Sequence, residues 1–205
     1  MKRLRLVGVL VFILLIGTLA GCNDEASESE VNRIAVSDLN SREEAILSTT
    51  AGASSVFNFT NTSYEEVAVW IEKYQSGELV EDEIGSIKTL AADKGSIILA
   101  AGKVLDDEKS QAYHIGIGDE SGTSSTSFII KNPSNSNNMS VMYGELSQEQ
   151  ALNQKELVLA TIAYSNENEQ GISSIPVDFY ENAKAHLDVL KKYSTVYVIK
   201  AKLSG

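Results

Sequence analysis

Short runs in which every second residue is apolar fill the chain from Val56 onward, and they constrain the fold more than any other feature. In the run Glu66–Tyr74, the side chains of Val67, Val69 and Ile71 fall on one face, because successive side chains of a strand point to opposite sides. This pattern predicts half-buried β-strands.

Turn sequences between these runs indicate how the strands connect. Gln75-Ser76-Gly77-Glu78 and Asp93-Lys94-Gly95 each offer a glycine, which adopts the positive φ of a tight hairpin. Further strand-like runs lie at 113–117, 156–164 and 195–203. Many short strands with frequent turns favour two packed antiparallel sheets over βαβ units. We therefore predict a mostly β fold, an antiparallel β-sandwich.

One helical pattern interrupts the strands near the end of the chain. Asp178 precedes Phe179–Lys192, and Glu181 stands three residues after it, as in a capping box. Within this range Phe179, Ala183, Leu187 and Leu190 recur at helical spacing. The sequence predicts one C-terminal helix before the last strand.

The first residues have the features of an export signal. Met1–Arg5 carries three positive charges and is followed by the apolar run Leu6–Leu15. The 15 residues from Leu6 to Ala20 are fewer than the roughly 20 that a membrane-spanning helix needs. We predict a signal peptide at residues 1–21.

The segment Leu19-Ala20-Gly21-Cys22 resembles the lipobox of bacterial lipoproteins. The resemblance implies that the Cys22 thiol is diacylated and that the preceding peptide is removed. Cys22 is the only cysteine of the chain, so no intramolecular disulfide can form. Two acyl chains give stable attachment to a membrane. We expect a lipid anchor at Cys22 that holds the protein on the extracytoplasmic face of the cell membrane.

An acidic spacer follows the anchor. Residues 23–30 are small or acidic, with no apolar residue larger than Ala, and this composition favours a solvated segment. We predict an acidic tether at 22–45 and a single β-sandwich-like domain at 46–205. At 205 residues, the chain has room for one ordinary domain beside these segments.

The charge of the chain limits its partners. Its formal net charge is −11, and removal of the signal with Lys2, Arg3 and Arg5 leaves 14 Lys+Arg against 28 Asp+Glu, a net charge of −14. An acidic surface repels phosphate backbones and anionic headgroups. We expect no nucleic-acid partner and no electrostatic docking to membranes.

The region after the anchor resembles a group of uncharacterised small lipoproteins of Gram-positive bacilli. The resemblance rests on Arg42–Thr49, on Val69–Tyr74 followed by Gly77, on Gly95–Ile98 and on Asp178–Glu181. It implies a location and a style of fold. It transfers no active site.

Candidate catalytic groups are few. His114 and His186 are the only histidines, and no Gly-x-Ser-x-Gly elbow occurs. A Ser-His-Asp site stays open, since Ser and Asp are abundant. His114 alternates with strand residues and His186 borders the apolar stripe of the predicted helix, which favours structural positions for both.

Metal and sugar sites find weak support in the sequence. Two distant histidines give no recognised spacing for zinc. Asn166–Gly171 matches the first half of an EF-hand loop, but Val177 stands where a bidentate Glu is required. Four strand aromatics could form a flat platform for sugar rings, namely Trp70, Tyr74, Tyr113 and Tyr143. Packing within the core and between strands is the commoner use of such residues, and the sequence favours it.

These patterns lead to two hypotheses. The first is a membrane-anchored extracytoplasmic lipoprotein with a non-catalytic binding or interaction module, whose partner is an unknown envelope protein or cell-wall ligand. Under this hypothesis we expect no catalytic residue, no metal and no cofactor. The second is a cell-envelope hydrolase that uses His114 or His186 with a carboxylate or serine.

Overall fold

A computed structural model of the chain describes residues 32–104, 107–134, 136–153, 155–166 and 173–205. These residues belong to one compact unit, Val31–Gly205. Strands dominate and pair only in antiparallel fashion within two sheets. The strands are β1 (Arg33–Val36), β2 (Ala53–Thr60), β3 (Glu66–Gln75), β4 (Glu78–Leu90), β5 (Lys94–Val104), β6 (Asp107–Asp119), β7 (Gly122–Lys131), β8 (Met139–Glu145), β9 (Gln150–Ala151), β10 (Leu157–Asn166) and β11 (Thr195–Ser204).

The first sheet has the order β7-β6-β5-β2-β1-β9, and the second has the order β4-β3-β11-β10-β8. The core lies between them and is built from the inward positions of each strand. Val67, Val69 and Ile71 of β3 are fully buried, as the alternation predicts. The structure confirms the predicted mostly β fold, an antiparallel sandwich with a helix before the last strand.

Two helices and three 3-10 segments accompany the strands among the described residues. They are α1 (Ser41–Thr50), α2 (Val177–Glu181) and 3-10 turns at Ser136–Asn138, Ala183–Ala185 and Leu187–Lys192. The Asn40 side chain accepts hydrogen bonds from the backbone N–H groups of Arg42 and Glu43, and the Glu43 carboxylate accepts from the Asn40 N–H. This reciprocal capping box starts α1.

The predicted helix Phe179–Lys192 is wrong in length and cap. Pro176, not Asp178, precedes α2, and no side chain caps it. The helix stops at Asn182, whose φ of −150° and ψ of 74° are not helical. A continuous helix would bury Leu187, yet Leu187 is exposed. The segment bends instead, and it buries four side chains on the outer face of the second sheet. These side chains are not spaced as on one face of a helix, and they belong to Phe179, Tyr180, Leu190 and Tyr193.

That covering explains why β10 is apolar on both faces. Thr161 and Tyr180 form a buried hydroxyl–hydroxyl hydrogen bond of 2.7 Å between β10 and α2. Strands covered on both sides have continuous apolar sequences, because neither face meets water.

The folded domain begins earlier than the sequence predicts. β1 falls inside the predicted tether of residues 22–45, yet it pairs with both β2 and β9, and Ile34 is fully buried. A strand of only four residues, Arg33-Ile34-Ala35-Val36, is too short to show a clear alternation of apolar and polar side chains. Only the pairing partners, which lie far along the chain, give β1 its place.

One predicted hairpin is absent. The turn at Asp93–Gly95 connects β4 of the second sheet to β5 of the first, so the two strands do not pair. The buried Asn61 holds this crossover, because its amide donates to the carbonyls of Tyr64 and Ala92. The other predicted turn is confirmed: Ser76 and Gly77 both have positive φ between β3 and β4, as a tight hairpin requires.

Candidate functional site

A cleft between the two sheets is the best-formed candidate site. It opens where the start of β2 and parts of β5 and β6 face β8, β10 and β11, and it encloses about 350 Å³. The inward residues of the first sheet that line it are Ala53, Ser55, Leu99, Ala101, Tyr113 and Ile115. Those of the second sheet are Ile71, Tyr143, Glu145, Ala160, Ile162 and Ile199.

Side-chain size explains why the cleft lies here. Inward positions further along β2 hold Phe57 and Phe59, which are buried in the core. At the start of the same strand the inward positions hold Ala53 and Ser55. Small side chains cannot fill the space between two sheets packed about 10 Å apart. The phenylalanines therefore fill the space between the sheets, whereas the small residues leave a cavity.

The mouth of the cleft is polar. Ser55 Oγ of the first sheet donates to Glu145 Oε2 of the second over 2.5 Å. Beside it, the half-exposed Tyr143 accepts a hydrogen bond of 3.3 Å from Gln111 Nε2. These contacts tie the sheets together at the opening and leave one carboxylate there.

Tyr113 lies deeper in the cleft, with 4% of its surface exposed. Its ring packs against Tyr197 with centroids 5.9 Å apart, and its hydroxyl has no hydrogen-bond partner among the described residues. Burial raises the pKa of Tyr113, and the neighbouring Tyr164 contributes to this. Tyr164 itself donates to Gln111 Oε1 at 3.0 Å. Tyr113 therefore stays neutral, and its hydroxyl is enclosed by the protein beside Tyr164.

A buried ion pair lies on the outer face of the second sheet. Glu72, 6% exposed, accepts hydrogen bonds from Lys200 Nζ at 2.8 Å, from the Tyr74 hydroxyl at 2.7 Å and from Trp70 Nε1 at 3.2 Å. Lys200 also reaches Glu156 at 3.4 Å. Burial and then the bond to Glu72 raise the pKa of Tyr74. The network is well satisfied, as buried charges must be.

A second, more polar cleft borders this ion pair and encloses about 660 Å³. Four lysines and two glutamates are among its lining residues, namely Lys155, Lys184, Lys200, Lys202, Glu156 and Glu181. Lys200 is already neutralised by Glu72 and Glu156. The four lysines stand against these two glutamates and the adjoining Glu72, so the cleft has an excess of one positive charge.

The two histidines lie on different elements. His114 of β6 is exposed and shares a hydrogen bond of 2.7 Å with Ser127 Oγ, its cross-strand neighbour on β7. His186 is half-buried between two 3-10 segments. In the described part of the chain, neither histidine pairs with a carboxylate.

The other predicted sites have different outcomes. Cys22 and the segment 167–171 of the calcium-like loop lie outside the described residues. Within the described ranges, no three His, Cys, Asp or Glu residues are grouped for a metal ion. The four aromatic residues weighed as a platform separate: Trp70 and Tyr74 bond to Glu72, whereas Tyr113 and Tyr143 line the inter-sheet cleft.

Comparison with known proteins places the chain in a family. Residues 33–203 match the YgaN domain, and these are the residues that form the two sheets. The chain belongs to the YgaN domain family. The match of the YgaN domain starts at the first residue of β1, in agreement with the early start of the fold. Neither curated proteins nor solved structures gave a match.

Of the residues that line the cleft of this YgaN domain, the sequence singled out Tyr113 and Tyr143 as possible sugar-stacking residues and His114 as a possible base, and it did not identify the aliphatic walls or Glu145. Glu145 stands in an ordinary alternating strand, and Tyr113 looks like any core aromatic. A signal for the ion pair does exist, since Glu72 interrupts an apolar strand and Lys200 does the same on β11. No described helix is long and apolar enough to cross a membrane.

Proposed function

We propose that this protein is a membrane-anchored extracytoplasmic lipoprotein whose YgaN domain is a non-catalytic binding module, with the inter-sheet cleft as its binding site. The cleft is the observation that carries the binding part of the proposal. It is concave and mostly apolar, with a few polar groups, which are the properties of small-molecule sites. A component of the cell envelope is the expected source of the ligand.

The sequence supports the anchoring part. The apolar run that follows Met1–Arg5 leads directly to Leu19-Ala20-Gly21-Cys22. A lipid on Cys22 would keep the domain at the membrane surface, where ligands from the envelope are concentrated. An alkyne-labelled fatty acid supplied to expressing cells tests this. We expect label on the wild-type chain and none on Cys22→Ala; equal labelling of both would refute the anchor.

A matched pair of variants tests the cleft. Ala53→Phe puts a large ring at an inward position of its wall. Ser125→Phe puts the same ring on the exposed outer face of β7, away from the cleft. In a thermal-melt screen of small molecules, compounds that bind the native state raise the midpoint. We expect hits to lose their shift in Ala53→Phe and keep it in Ser125→Phe.

The comparison is decisive because both variants add the same apolar surface. If every hit shifts both variants equally, the cleft is not the binding site. If the domain is folded and gives no hit with any small molecule, a binding site for small molecules is refuted, and a protein partner becomes the next target of search.

A further inference from the structure

We infer that this protein pairs with a second copy of itself through the open edge of strand β8, so that the second sheet continues across a twofold axis at Met142. The inference goes beyond the proposed binding function, because it concerns the edge of the sandwich and not the interior of the cleft. Three features carry it: the unprotected edge of β8, the two apolar side chains exposed along it, and the match of the strand with itself in antiparallel register.

β8 is the one long strand edge that the described part of the chain leaves without protection. It is the last strand of the second sheet, and among the described residues it pairs only with β10. Proteins normally blunt such edges with Lys, Pro, a bulge or a very short strand. The seven residues Met139–Glu145 contain no Lys, Arg or Pro. A long edge of this kind is a template for a further strand.

The other three edges of the two sheets are blunted. β9 has only two residues. β4 and β7 lie against each other, so closely that a Cβ atom on Gly85 would be 2.5 Å from the ring of Phe128. β4 also has four acidic residues between Glu78 and Glu83. Two copies of β4 in antiparallel register would bring these like charges together. β8 is therefore the edge that suits a second copy.

The backbone groups of β8 alternate between β10 and the open side, as in any strand. The N–H of Leu146, the residue after the strand, donates to the carbonyl of Leu159 on β10 at 2.8 Å. Counting back from Leu146, the even-numbered residues of β8 face β10, so the N–H and C=O groups of Val141 and Tyr143 face the open side. A twofold axis at Met142 places Val141 of one copy opposite Tyr143 of the other, and each such pair can exchange two hydrogen bonds.

The side chains match in the same register. Val141 and Tyr143 are 38% and 51% exposed, and the dimer lays them against each other twice, as aromatic and β-branched cross-strand neighbours. Glu145 falls opposite Met139 of the second copy, six residues along the strand from the other Glu145. That separation is about 20 Å, beyond the roughly 8–10 Å over which charges act in physiological salt. The pairing covers apolar surface without a like-charge contact along β8.

Sedimentation equilibrium of the full chain in a density-matched neutral detergent tests for the dimer. A contact between two strands is small, so we expect a reversible dimer with a dissociation constant in the micromolar range. Val141→Lys should weaken it about three- to thirtyfold, because each dimer loses two apolar cross-strand pairs. Ile129→Lys is the matched control, since Ile129 is a 68% exposed apolar residue on another edge strand, β7. It should leave the dimer unchanged.

Mixing two variants tests the register. Tyr143→Glu alone should also weaken the dimer, because the same pairs lose their aromatic ring. When Tyr143→Glu is mixed with Val141→Lys, the new lysine of one chain faces the new glutamate of the other, and the second pair of that dimer stays native. We therefore expect the mixture to form more dimer than either variant alone.

A cysteine at the axis gives a second measurement that does not depend on affinity. In the Cys22→Ala chain, Met142→Cys places two thiols in a non-hydrogen-bonded pair, whose Cα atoms are about 4.5–5.5 Å apart. A disulfide spans that distance. Diamide, which takes up the two hydrogens of the thiols, should link Met142→Cys chains into covalent dimers and leave Ser125→Cys chains on the outer face of β7 monomeric.

The outcomes decide both the dimer and its interface. A chain that stays monomeric up to millimolar concentration, with Met142→Cys not linked, overturns the inference, and a strand of another protein becomes the candidate partner of the edge. A dimer that is as tight in Val141→Lys as in Ile129→Lys overturns β8 as the interface, as does equal linking of Met142→Cys and Ser125→Cys. Val141 and Met142 do not line the cleft, so the dimer can fail while the proposed binding function holds.

Discussion

Replacing Lys200 by methionine should be among the most damaging single changes in the second sheet. Lys200 and Glu72 are 90% or more buried at the side-chain level and 2.8 Å apart. Methionine keeps much of the volume and removes the charge, so the Glu72 carboxylate would stay buried with only the hydroxyl of Tyr74 and the indole of Trp70. Breaking a buried pair in this way costs about 3–5 kcal/mol.

The double variant Glu72→Gln/Lys200→Met carries the sharper expectation. It removes both charges, and well-packed neutral replacements of buried pairs are often neutral or stabilising. We therefore expect the double variant to be more stable than Lys200→Met alone. The four chains of the cycle are the wild type, Glu72→Gln, Lys200→Met and the double variant. Their free energies of unfolding, measured by urea titration, give the coupling energy between Glu72 and Lys200. A coupling energy near zero, or a Lys200→Met chain that loses less than about 1 kcal/mol, would refute this reasoning.

Three further predictions concern α2 and α1. Burial raises the pKa of Tyr180 to about 12. The neutral side chain of Tyr180 therefore contributes its full stabilisation below about pH 10, and this contribution is lost as the pH rises from about 10 to 12. Urea titrations at alkaline pH should show the stabilities of wild type and Tyr180→Phe diverging in that window. Gly144→Ala should cost about 1–3 kcal/mol, because the new methyl would overlap the Tyr180 hydroxyl, and Tyr180→Phe should recover part of the loss. Asn40→Ala should cost about 1 kcal/mol of α1 stability, seen as faster hydrogen exchange at residues 41–50, whereas slow exchange there would contradict the role of the cap.

Much of the fold could be predicted from local patterns. The alternation in β3 and the turn at Ser76–Gly77 are local signals, and the structure confirms both. The prediction of a hairpin at Asp93–Gly95 was wrong, because a turn sequence specifies a reversal of the chain and does not specify which sheet the next strand joins. The prediction of one helix over Phe179–Lys192 was wrong, because the apolar residues of that segment pack against the sheet beneath it. This packing outweighs the local preference for a continuous helix.

The candidate site was less accessible to sequence reasoning. A cleft between sheets depends on small residues from different strands meeting in space, as Ala53 does with Ala160. The surroundings of the buried Tyr113 hydroxyl depend on residues of other strands, among them Tyr164 and Tyr197. Such properties belong to the packing of the whole domain. Local composition near Tyr113 or Glu145 contains no trace of them.

The order of strands in the second sheet also has a consequence for how the domain reaches its native state. β11 occupies the centre of that sheet, between β3 and β10, and follows every other strand in the chain. Glu66 pairs with Ser204, so contacts of very long sequence separation are needed before the core can close. Folds dominated by such contacts form slowly. A chain that emerges from its amino end therefore cannot complete this sheet until residues 195–204 are free.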